Sequence, residues 1–261
     1  MSMVAIKGVS RSFAGRNGGA PVKALEPINL AVERNDFITI LGPSGCGKST
    51  LLRILAGLDK PTIGEVTVNS RPVTGPGRDR GMVFQSYTLF PWLTVAENVA
   101  FGLRESGLPE TERSAVVAQW LERIGLQGFA QHYPKQLSGG MQQRTAIARA
   151  LANNPDMLLL DEPFGALDNQ TRSLMQELLL GIWEREAKTI LFVTHDIEEA
   201  IFLGSRVVVM SARPGRIKTI LPVDLPHPRH YTLKTAPEFS ELKRRLTEEI
   251  RVEAVLAANE H

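Results

Sequence analysis

The sequence predicts an α/β fold in which helices cover a parallel sheet, and three observations support this prediction. The stretches MLLLDEP (157–163) and TILFVTHD (189–196) are short, continuous apolar runs, as expected of strands buried on both faces. A glycine-rich stretch, GPSGCGKST (42–50), separates a strand-like run from a helix-like run. Strand and helix patterns then alternate along the chain, which is typical of a parallel sheet.

Local patterns predict the other elements in order. Alternating apolar and polar residues, rich in Val and Ile, predict strands at 3–13 and 27–40, with a loop at 16–21 between them. Apolar spacing predicts a helix after the glycine-rich stretch, and Gly57 is expected to end it. The remaining strands are predicted at 64–73, 80–84, 206–212 and 216–223, and the remaining helices within 94–151 and at 170–186, 197–204 and 238–256.

Three of the predicted helices have apolar residues at helical spacing, which indicates the face that packs against a core. These stripes are Val116, Val117, Trp120, Leu121 and Ile124; Leu174, Leu178 and Ile182; and Leu242, Leu246 and Ile250. The last stripe lies in a tail that begins with the proline-rich, extended stretch 222–231. We expect the tail helix to pack on the core or on a second subunit.

The bulk properties narrow the classes of function. A chain of 261 residues is long enough for one large domain or for a domain with an appendage. The formal net charge of +2 indicates no strong polyanion partner, but charge alone does not exclude nucleic acid. We expect no nucleic-acid partner. Cys46 is the single cysteine, so no internal disulfide can form, which is typical of a reducing cytoplasm. We expect no signal peptide, because the stretch 1–13 has no apolar core of the required length. We expect no membrane span, because no apolar run approaches about 20 residues.

The stretch 42–50 has the pattern G-x-x-x-x-G-K-[ST], which binds the phosphates of a nucleotide. Its glycines let the loop wrap with N–H groups pointing at the phosphates, Lys48 places a cation on the β- and γ-oxygens, and Ser49 offers a hydroxyl to Mg²⁺. A structural turn is the alternative, but the flanking strand and helix are the context that the motif requires. Thr50 fits packing better than phosphate binding. The predicted nucleotide-binding residues are Gly42, Pro43, Ser44, Gly45, Cys46, Gly47, Lys48, Ser49 and Thr50.

Two carboxylates follow a buried strand, where an ATPase of this kind needs an acidic partner for its metal. Asp161 ends the run MLLLD and Glu162 comes next, so both face the crevice at the carboxyl end of the sheet. We expect Asp161 to hold Mg²⁺ through water and Glu162 to polarise the attacking water. A solvated loop charge is the alternative for Glu162, and the presence of two adjacent carboxylates at this strand end argues against it.

His195 and Gln85 also follow strands. His195 comes directly after TILFVT, from where it can donate a hydrogen bond to the γ-phosphate. Gln85 comes directly after GMVF, from where its amide can reach both water and metal. A lone histidine is more often structural than catalytic, and its position at the end of an apolar strand favours the catalytic interpretation.

A second stretch, KQLSGGMQQR (135–144), also has features of a phosphate site, although it has no lysine placed to contact a phosphate. Ser138 is an N-cap residue type, and Gly139 and Gly140 expose backbone N–H groups at the start of a helix. A capped helix with a flexible entry would explain the stretch if it stood alone. Its position between a phosphate loop and MLLLDEP favours a nucleotide site.

These stretches together resemble the motifs of ATP-binding-cassette (ABC) ATPases. LSGGMQQR resembles their signature, GPSGCGKST their Walker A loop and MLLLDE their Walker B strand. FQ, GALD and THD resemble the Q-loop, the D-loop and the switch histidine, and the order and spacing match over about residues 1–220. The resemblance implies a P-loop NTPase with a RecA-like parallel sheet, an antiparallel β subdomain and an α-helical signature subdomain at about 90–155. A C-terminal extension with an amphipathic helix, 221–261, follows.

In this family two subunits bind ATP head to tail, and each ATP lies between the phosphate loop of one chain and the signature of the other. The resemblance therefore implies that residues 138–140 close on ATP bound at Lys48 of a second, identical subunit, which explains the missing lysine. It also places Asp168 at the dimer seam. Phe13 aligns with the aromatic residue that stacks on adenine, and a strand core residue is the alternative there. ATP and Mg²⁺ are the expected ligands.

Residues 86–95, SYTLFPWLTV, are unusually apolar for a connecting segment. Their apolar side chains could belong to the core. Clustered aromatic residues in a loop beside the active site instead indicate a partner groove. In the resembled family this region receives a helix of the membrane permease, which we expect here as well.

The cargo class is predicted from resemblance alone. LFPW and the tail stretch DLPHPRH resemble the nitrate, sulfonate and taurine importer branch, whose systems add a permease and a periplasmic substrate-binding protein. We expect a peripheral subunit on the cytoplasmic face of the cell membrane. The alternatives are another ABC transporter ATPase, a soluble ABC ATPase of translation or DNA repair, and a non-catalytic nucleotide-gated scaffold.

Overall fold

The computed structural model describes residues 2–15 and 19–259, so residues 16–18 of the predicted loop at 16–21 lie outside the described residues. The strands are β1 (Val4–Phe13), β2 (Val22–Val32), β3 (Phe37–Leu41), β4 (Ile63–Val68), β5 (Arg71–Pro72), β6 (Arg80–Val83), β7 (Met157–Asp161), β8 (Thr189–Thr194), β9 (Arg206–Met210) and β10 (Ile217–Pro222). The α-helices are α1 (Lys48–Leu55), α2 (Val95–Glu105), α3 (Glu110–Arg123), α4 (Gly139–Ala152), α5 (Asn169–Glu186), α6 (Ile197–Leu203) and α7 (Pro237–Asn259). Short 3₁₀ turns occupy Gln127–Phe129, Pro134–Gln136 and Tyr231–Thr235.

The larger sheet has six strands in the order β10-β9-β3-β8-β7-β6. Its neighbouring strands are parallel, except that β10 is antiparallel to β9. Strands β3 and β8 are buried along their whole length, as expected where both faces of a parallel sheet are covered. The predicted parallel α/β core is therefore confirmed.

The smaller sheet has four antiparallel strands in the order β2-β1-β4-β5. The single strand predicted at 64–73 is wrong, because the structure has the hairpin β4–β5 there. Asn69 and Ser70 turn this hairpin with φ of 48° and 61°. Two consecutive residues with positive φ form the turn type that matches the twist of paired strands.

Two hydrophobic clusters lie on opposite faces of the larger sheet. Successive side chains of a strand point to opposite faces, so each central strand contributes to both clusters. Ile38 and Ile40 of β3 pack with the smaller sheet and α1. Phe37 and Leu41 of the same strand pack with the helices of the other face. This arrangement holds the amino end of α1 against the end of β3.

Helices α2, α3 and α4 pack against one another next to β6. Thr94 begins α2 with a capping box: its hydroxyl accepts from the N–H of Glu97 at 3.2 Å, and the Glu97 carboxylate accepts from the N–H of Thr94 at 2.7 Å. The predicted stripe of α3 is confirmed. Its buried members are Val117, Trp120, Leu121 and Ile124, and Val116 packs at the edge of the same cluster.

The single strand predicted at 27–40 is wrong in its bounds. Strand β2 begins earlier, and a turn at 33–36 separates it from β3. Asn35 in this turn has φ of 66°, and the Asp36 carboxylate accepts a hydrogen bond from the N–H of Glu33 at 2.8 Å. Asn and Asp favour such turns because their short side chains bond the nearby backbone.

The apolar stripe predicted for α5 is wrong at one position. Leu174 is 67% exposed, whereas Ile182 is buried and Leu178 is half-buried. Met175 and Leu179 face the core instead. The leucine-rich sequence of α5 contains two overlapping stripes at helical spacing, and packing against neighbouring elements decides which of them is buried.

The chain after β10 is extended and then forms the last 3₁₀ turn and α7, which packs against α6. Leu246 is fully buried, and Leu242 and Ile250 pack at the edge of the same cluster, so the predicted stripe is confirmed. No helix in the described part of the chain is long and apolar enough to cross a membrane. The domain bounds at 1–220 and 221–261 stay predictions.

Candidate functional site

The loop between β3 and α1 contains the lysine-bearing phosphate motif. Gly47 has φ of 98°, and a Cβ there would lie 2.6 Å from a methyl carbon of Leu25 in β2. Glycine is therefore required at this position for both backbone conformation and space. The predicted strand–loop–helix context of the motif is confirmed, and Gly57, with φ of 75°, follows the last turn of α1 as predicted.

Lys48 is buried inside this loop, where only 4% of its surface is exposed. Its ammonium donates to the carbonyls of Gly42 and Pro43, both at 2.9 Å, and lies 3.9 Å from the carboxylate of Glu162. Thr50 is half-buried on α1, and its role stays a prediction. A cation is thus held between the loop that follows β3 and the end of β7, across the intervening strand β8.

Ser49 and Asp161 are in direct contact. The Ser49 hydroxyl donates to Oδ1 of Asp161 at 2.8 Å, which joins the start of α1 to the end of β7. Burial raises the pKa of Asp161, and the hydrogen bond from Ser49 partly offsets this. Hydroxyl and carboxylate oxygens are ligands that Mg²⁺ prefers, so the pair fits a divalent cation.

Glu162 and His195 lie next to this pair, at the ends of the adjacent strands β7 and β8. Nδ1 of His195 is 3.1 Å from Oε2 of Glu162. Glu162 has φ of 43°, in the left-handed region, and its N–H donates to the carbonyl of Val193 at 3.0 Å. Strained backbone of this kind is concentrated at functional sites. Side-chain contacts thus link Lys48, Glu162 and His195, and the Ser49–Asp161 pair adjoins them along the chain at 48–49 and 161–162, so the five residues lie in one cluster.

Two predicted site residues lie apart from this cluster. Gln85 is exposed beyond the end of β6, and among the described residues it shares no hydrogen bond with Ser49 or Asp161. Phe13 ends β1 and is 39% exposed, with the guanidinium of Arg11 4.5 Å from its ring centre. Phe13 is therefore not a strand core residue, and its ring is available for stacking.

The second glycine-rich stretch begins α4. Ser138 is the N-cap, and its hydroxyl accepts from the N–H of Met141 at 3.3 Å. Ser138 and Gly139 are exposed, whereas Gly140 is buried. A Cβ at Gly140 would lie 2.5 Å from Cγ2 of Thr171 in α5, so this glycine permits close packing of α4 and α5 as well as exposing backbone.

Asp168 is the N-cap of α5. Its carboxylate accepts from the N–H groups of Gln170 and Thr171, both at 3.0 Å. The hydrogen bonds from Thr171 lower the pKa of Asp168 most, and the bond from Gln170 adds to them. Asp168 thus has a local structural role, and its exposed position leaves it accessible to a second subunit.

Part of the apolar segment 86–95 belongs to the core, and part of it borders a groove. Tyr87 and Leu89 pack against the core, so part of the segment is structural. Phe90 stacks on Phe101 at 4.4 Å, and Trp92 is 70% exposed. Together with α2 and α4 the segment borders a groove of about 750 Å³.

Two residues that fix this segment were not predicted. The buried amide of Asn98 accepts from the N–H of Phe90 at 2.9 Å and donates to its carbonyl at 3.1 Å. The guanidinium of Arg149 donates to the carbonyls of Tyr87 and Thr88 at 3.2 and 2.8 Å. A polar Asn98 within the apolar face of α2 is a signal that could have been found in the sequence, whereas Arg149 gives none.

A family model described as "ABC transporter" matches residues 25–165. An uncharacterized ABC transporter ATP-binding protein of Methanocaldococcus jannaschii is 56% identical over 87% of this chain and 84% of its own length. An aliphatic sulfonates import ATP-binding protein of Bacillus cereus is 49% identical over 94% of this chain and 95% of its own length. A nitrate import ATP-binding protein of Synechocystis is 51% identical over 90% of both chains.

Solved structures give the same result at the level of the fold. The dimeric structure of a post-hydrolysis state of an ATP-binding cassette bound to ADP and Pi superimposes with a TM-score of 0.76 at 38% identity. The match covers 86% of this chain and 100% of that chain. A dimeric bacterial ABC transporter cassette matches with the same values. This chain therefore has the same fold as these cassettes and matches them over their whole length.

Proposed function

The chain belongs to the ABC transporter family as an ATP-binding, ATP-hydrolysing subunit, and we propose that it drives an importer of nitrate, a sulfonate such as taurine, or a similar small anion. The single observation that supports hydrolysis best is the cluster formed by the phosphate loop, Asp161, Glu162 and His195. The relatives named for aliphatic sulfonate and nitrate import match 90% or more of both chains, which supports the cargo class.

The phosphate loop and Glu162 have different roles in hydrolysis. Residues 42–50 wrap the triphosphate, and the Lys48 ammonium neutralises charge on its β- and γ-oxygens. The Glu162 carboxylate polarises the water that attacks the γ-phosphate. Nδ1 of His195 lies against Glu162, and the imidazolium form has a second donor, Nε2, for the γ-phosphate.

Ser49 and Asp161 are the residues that would hold Mg²⁺. Their contacting oxygens, 2.8 Å apart, are of the type that binds this cation, with Asp161 acting through water. Mg²⁺ would supply positive charge against the phosphate oxygens. Gln85 is a further proposed oxygen ligand.

A second, identical subunit completes the ATP site. Ser138, Gly139 and Gly140 at the positive end of α4 bind the γ-phosphate held by Lys48 of the other copy, and Asp168 lies at the seam. The exposure of Ser138 and Gly139 and the similarity to dimeric cassettes support this arrangement. Phe13 stacks on the adenine of the nucleotide bound by its own chain.

The groove beside residues 86–95 receives a helix of the permease. Phe90 lines this groove, and exposed Trp92 lies against Phe90 beside it, so both offer apolar surface to such a partner. Asn98 and Arg149 keep the segment in place. The subunit would then lie peripherally on the cytoplasmic face of the cell membrane. A periplasmic binding protein would deliver the anion to the permease.

The first experiment is light scattering of the Glu162→Gln variant with and without ATP in the absence of Mg²⁺. We expect ATP to shift this variant from monomer to dimer, because nucleotide binds and is not hydrolysed. Adding Ser138→Arg should abolish the shift, whereas Ser240→Arg on the exposed face of α7 should not. A Glu162→Gln chain that binds ATP and remains monomeric would contradict the proposed role of residues 138–140.

A further inference from the structure

A line of polar side chains runs from the C-terminal extension to the strand end that carries His195. The ammonium of Lys234 donates to Oε1 of Gln176 at 3.1 Å. Nε2 of Gln176 donates to Oε1 of Glu199 at 3.1 Å, and the hydroxyl of Thr194 donates to Oε2 of Glu199 at 2.6 Å. Four elements therefore meet in one hydrogen-bonded chain: the last 3₁₀ turn, α5, α6 and β8.

The three residues that follow Lys234 in this series of hydrogen bonds are buried. Thr194, Gln176 and Glu199 are 1%, 2% and 5% exposed. Burial raises the pKa of Glu199, and the hydrogen bonds from Thr194 and Gln176 act in the opposite direction. A buried carboxylate costs free energy unless donors satisfy it, and an apolar residue would pack α5 on α6 without that cost. Packing of α5 on α6 therefore does not by itself explain why this position is a glutamate.

Glu199 is hydrogen-bonded to the side chains of the residues on both sides of His195. Thr194, which Glu199 holds, accepts a hydrogen bond from the N–H of Asp196 at 3.0 Å. The Asp196 carboxylate in turn accepts from the N–H of Glu199 at 3.0 Å. The peptide that carries His195 is thus enclosed by a ring of hydrogen bonds that includes Glu199.

The C-terminal extension is fixed to α6 at a second point. The buried guanidinium of Arg229 donates to the carbonyls of Ile201, Phe202 and Gly204, at 2.9–3.1 Å. These are orphan carbonyls at the end of the helix, and a cation suits that end of the helix dipole. The extension therefore holds one end of α6 through Arg229 and the His195 end through Lys234.

We propose that Lys234 is a positioning residue for His195, acting through Gln176, Glu199 and Thr194. Docking of the extension thereby sets the rate of ATP hydrolysis. Lys234 fixes the orientation of the Gln176 amide, because an ammonium only donates and Glu199 accepts from the amide nitrogen. The inference depends on the proposed role of His195 at the γ-phosphate.

The test is ATP turnover by the full-length chain carrying Lys234→Met, Lys234→Arg or Lys243→Met. Lys243 is the matched control, since it joins the same extension to Glu198 of α6 on the exposed side. We expect Lys234→Met to lower kcat about threefold to tenfold with KM for ATP unchanged, as for other residues that act through a network. Lys234→Arg should restore most of the rate, and Lys243→Met should leave it unchanged.

The His195→Ala variant separates this inference from the proposed function. If His195→Ala turns over ATP like the parent chain, both the role of His195 and the inference are wrong. If His195→Ala is impaired while Lys234→Met keeps its kcat, or changes only KM, the inference alone is wrong. A second readout is the imidazole C–H resonance of His195, identified by its loss in His195→Ala. It should move in Lys234→Met and stay in place in Lys243→Met, and an unmoved resonance would overturn the proposal.

Discussion

The Nδ1 atom of His195 lies 3.1 Å from a carboxylate oxygen of Glu162, and the two residues follow the neighbouring parallel strands β8 and β7. The backbone reinforces the contact, because the N–H of Glu162 bonds the carbonyl of Val193 two residues before His195. The register of β7 against β8 thus places the proposed base, Glu162, within hydrogen-bonding distance of His195.

Replacement of Glu162 by Gln should abolish most ATP hydrolysis while ATP affinity is retained. A general base contributes about 10²–10⁴-fold to the rate, and the amide cannot accept the proton. Phosphate release at saturating ATP and nucleotide displacement measure the two quantities. Glu184→Gln is the control, since Glu184 contacts Nδ1 of His227 at the same 3.1 Å away from the cluster. Equal losses in the two variants would argue against a catalytic role for Glu162.

Replacement of Gly140 by Ala should destabilise the fold by about 1–3 kcal/mol, as overpacking usually does. The added Cβ would lie 2.5 Å from Cγ2 of Thr171, so Thr171 would have to change its rotamer or α4 and α5 would have to separate. Urea denaturation measures the change. Gly139→Ala meets its nearest atom, in Leu167, at 3.5 Å and should cost little. Thr171→Ala removes the clashing methyl and should rescue Gly140→Ala; without that rescue, the explanation is wrong.

Replacement of Asn98 by Ala should loosen the apolar segment 86–95. The partly buried carbonyls of Phe90 and Leu93 would lose the amide donor of Asn98, at up to about 1–3 kcal/mol for each group left unsatisfied. We expect faster proteolysis within the segment and unchanged ATP affinity. Ser106→Ala, which removes a single hydrogen bond on the same α2, is the control. Equal proteolysis of both variants would show that Asn98 does not hold the segment.

Replacement of Glu253 by Gln should destabilise the chain near pH 7 and have little effect in acid. Burial would raise the pKa of Glu253, but the N–H of Ala212 and the ammonium of Lys218 together lower it below 4.5. A carboxylate with a lowered pKa stabilises the folded state above its unfolded pKa, and this stabilisation is lost as pH falls through the folded pKa. Denaturation at a series of pH values from 7 down to about 3 measures it, because the stabilisation is lost only below 4.5.

The control for Glu253 is Glu248→Gln. Glu248 pairs with Arg244 on the exposed face of α7, and such surface pairs contribute little to stability. We expect this variant to follow the parent chain at every pH. A difference between Glu253→Gln and the parent chain that stays constant from neutral to acid pH would exclude the ionised carboxylate as its source.

The sequence alone determined the phosphate loop, the strand ends that carry Asp161, Glu162 and His195, and the capped start of α4. These features depend on local rules: glycine conformation, N-cap chemistry and the periodicity of apolar residues, all of which act within a few positions of the chain. The antiparallel sheet and the helical region around 90–155 were expected from the resemblance to ABC ATPases.

Only the tertiary structure decided which distant residues meet. Periodicity identifies two equivalent stripes on α5, and packing against the neighbouring elements buries Met175 and leaves Leu174 exposed. Nothing local links Gly140 to Thr171, or Lys234 to Gln176 and through it to the His195 strand end. Such contacts depend on sheet register and helix packing, which are set by all the elements together. A sequence pattern can therefore predict which face of an element a residue lies on, but it cannot predict which distant residue it contacts.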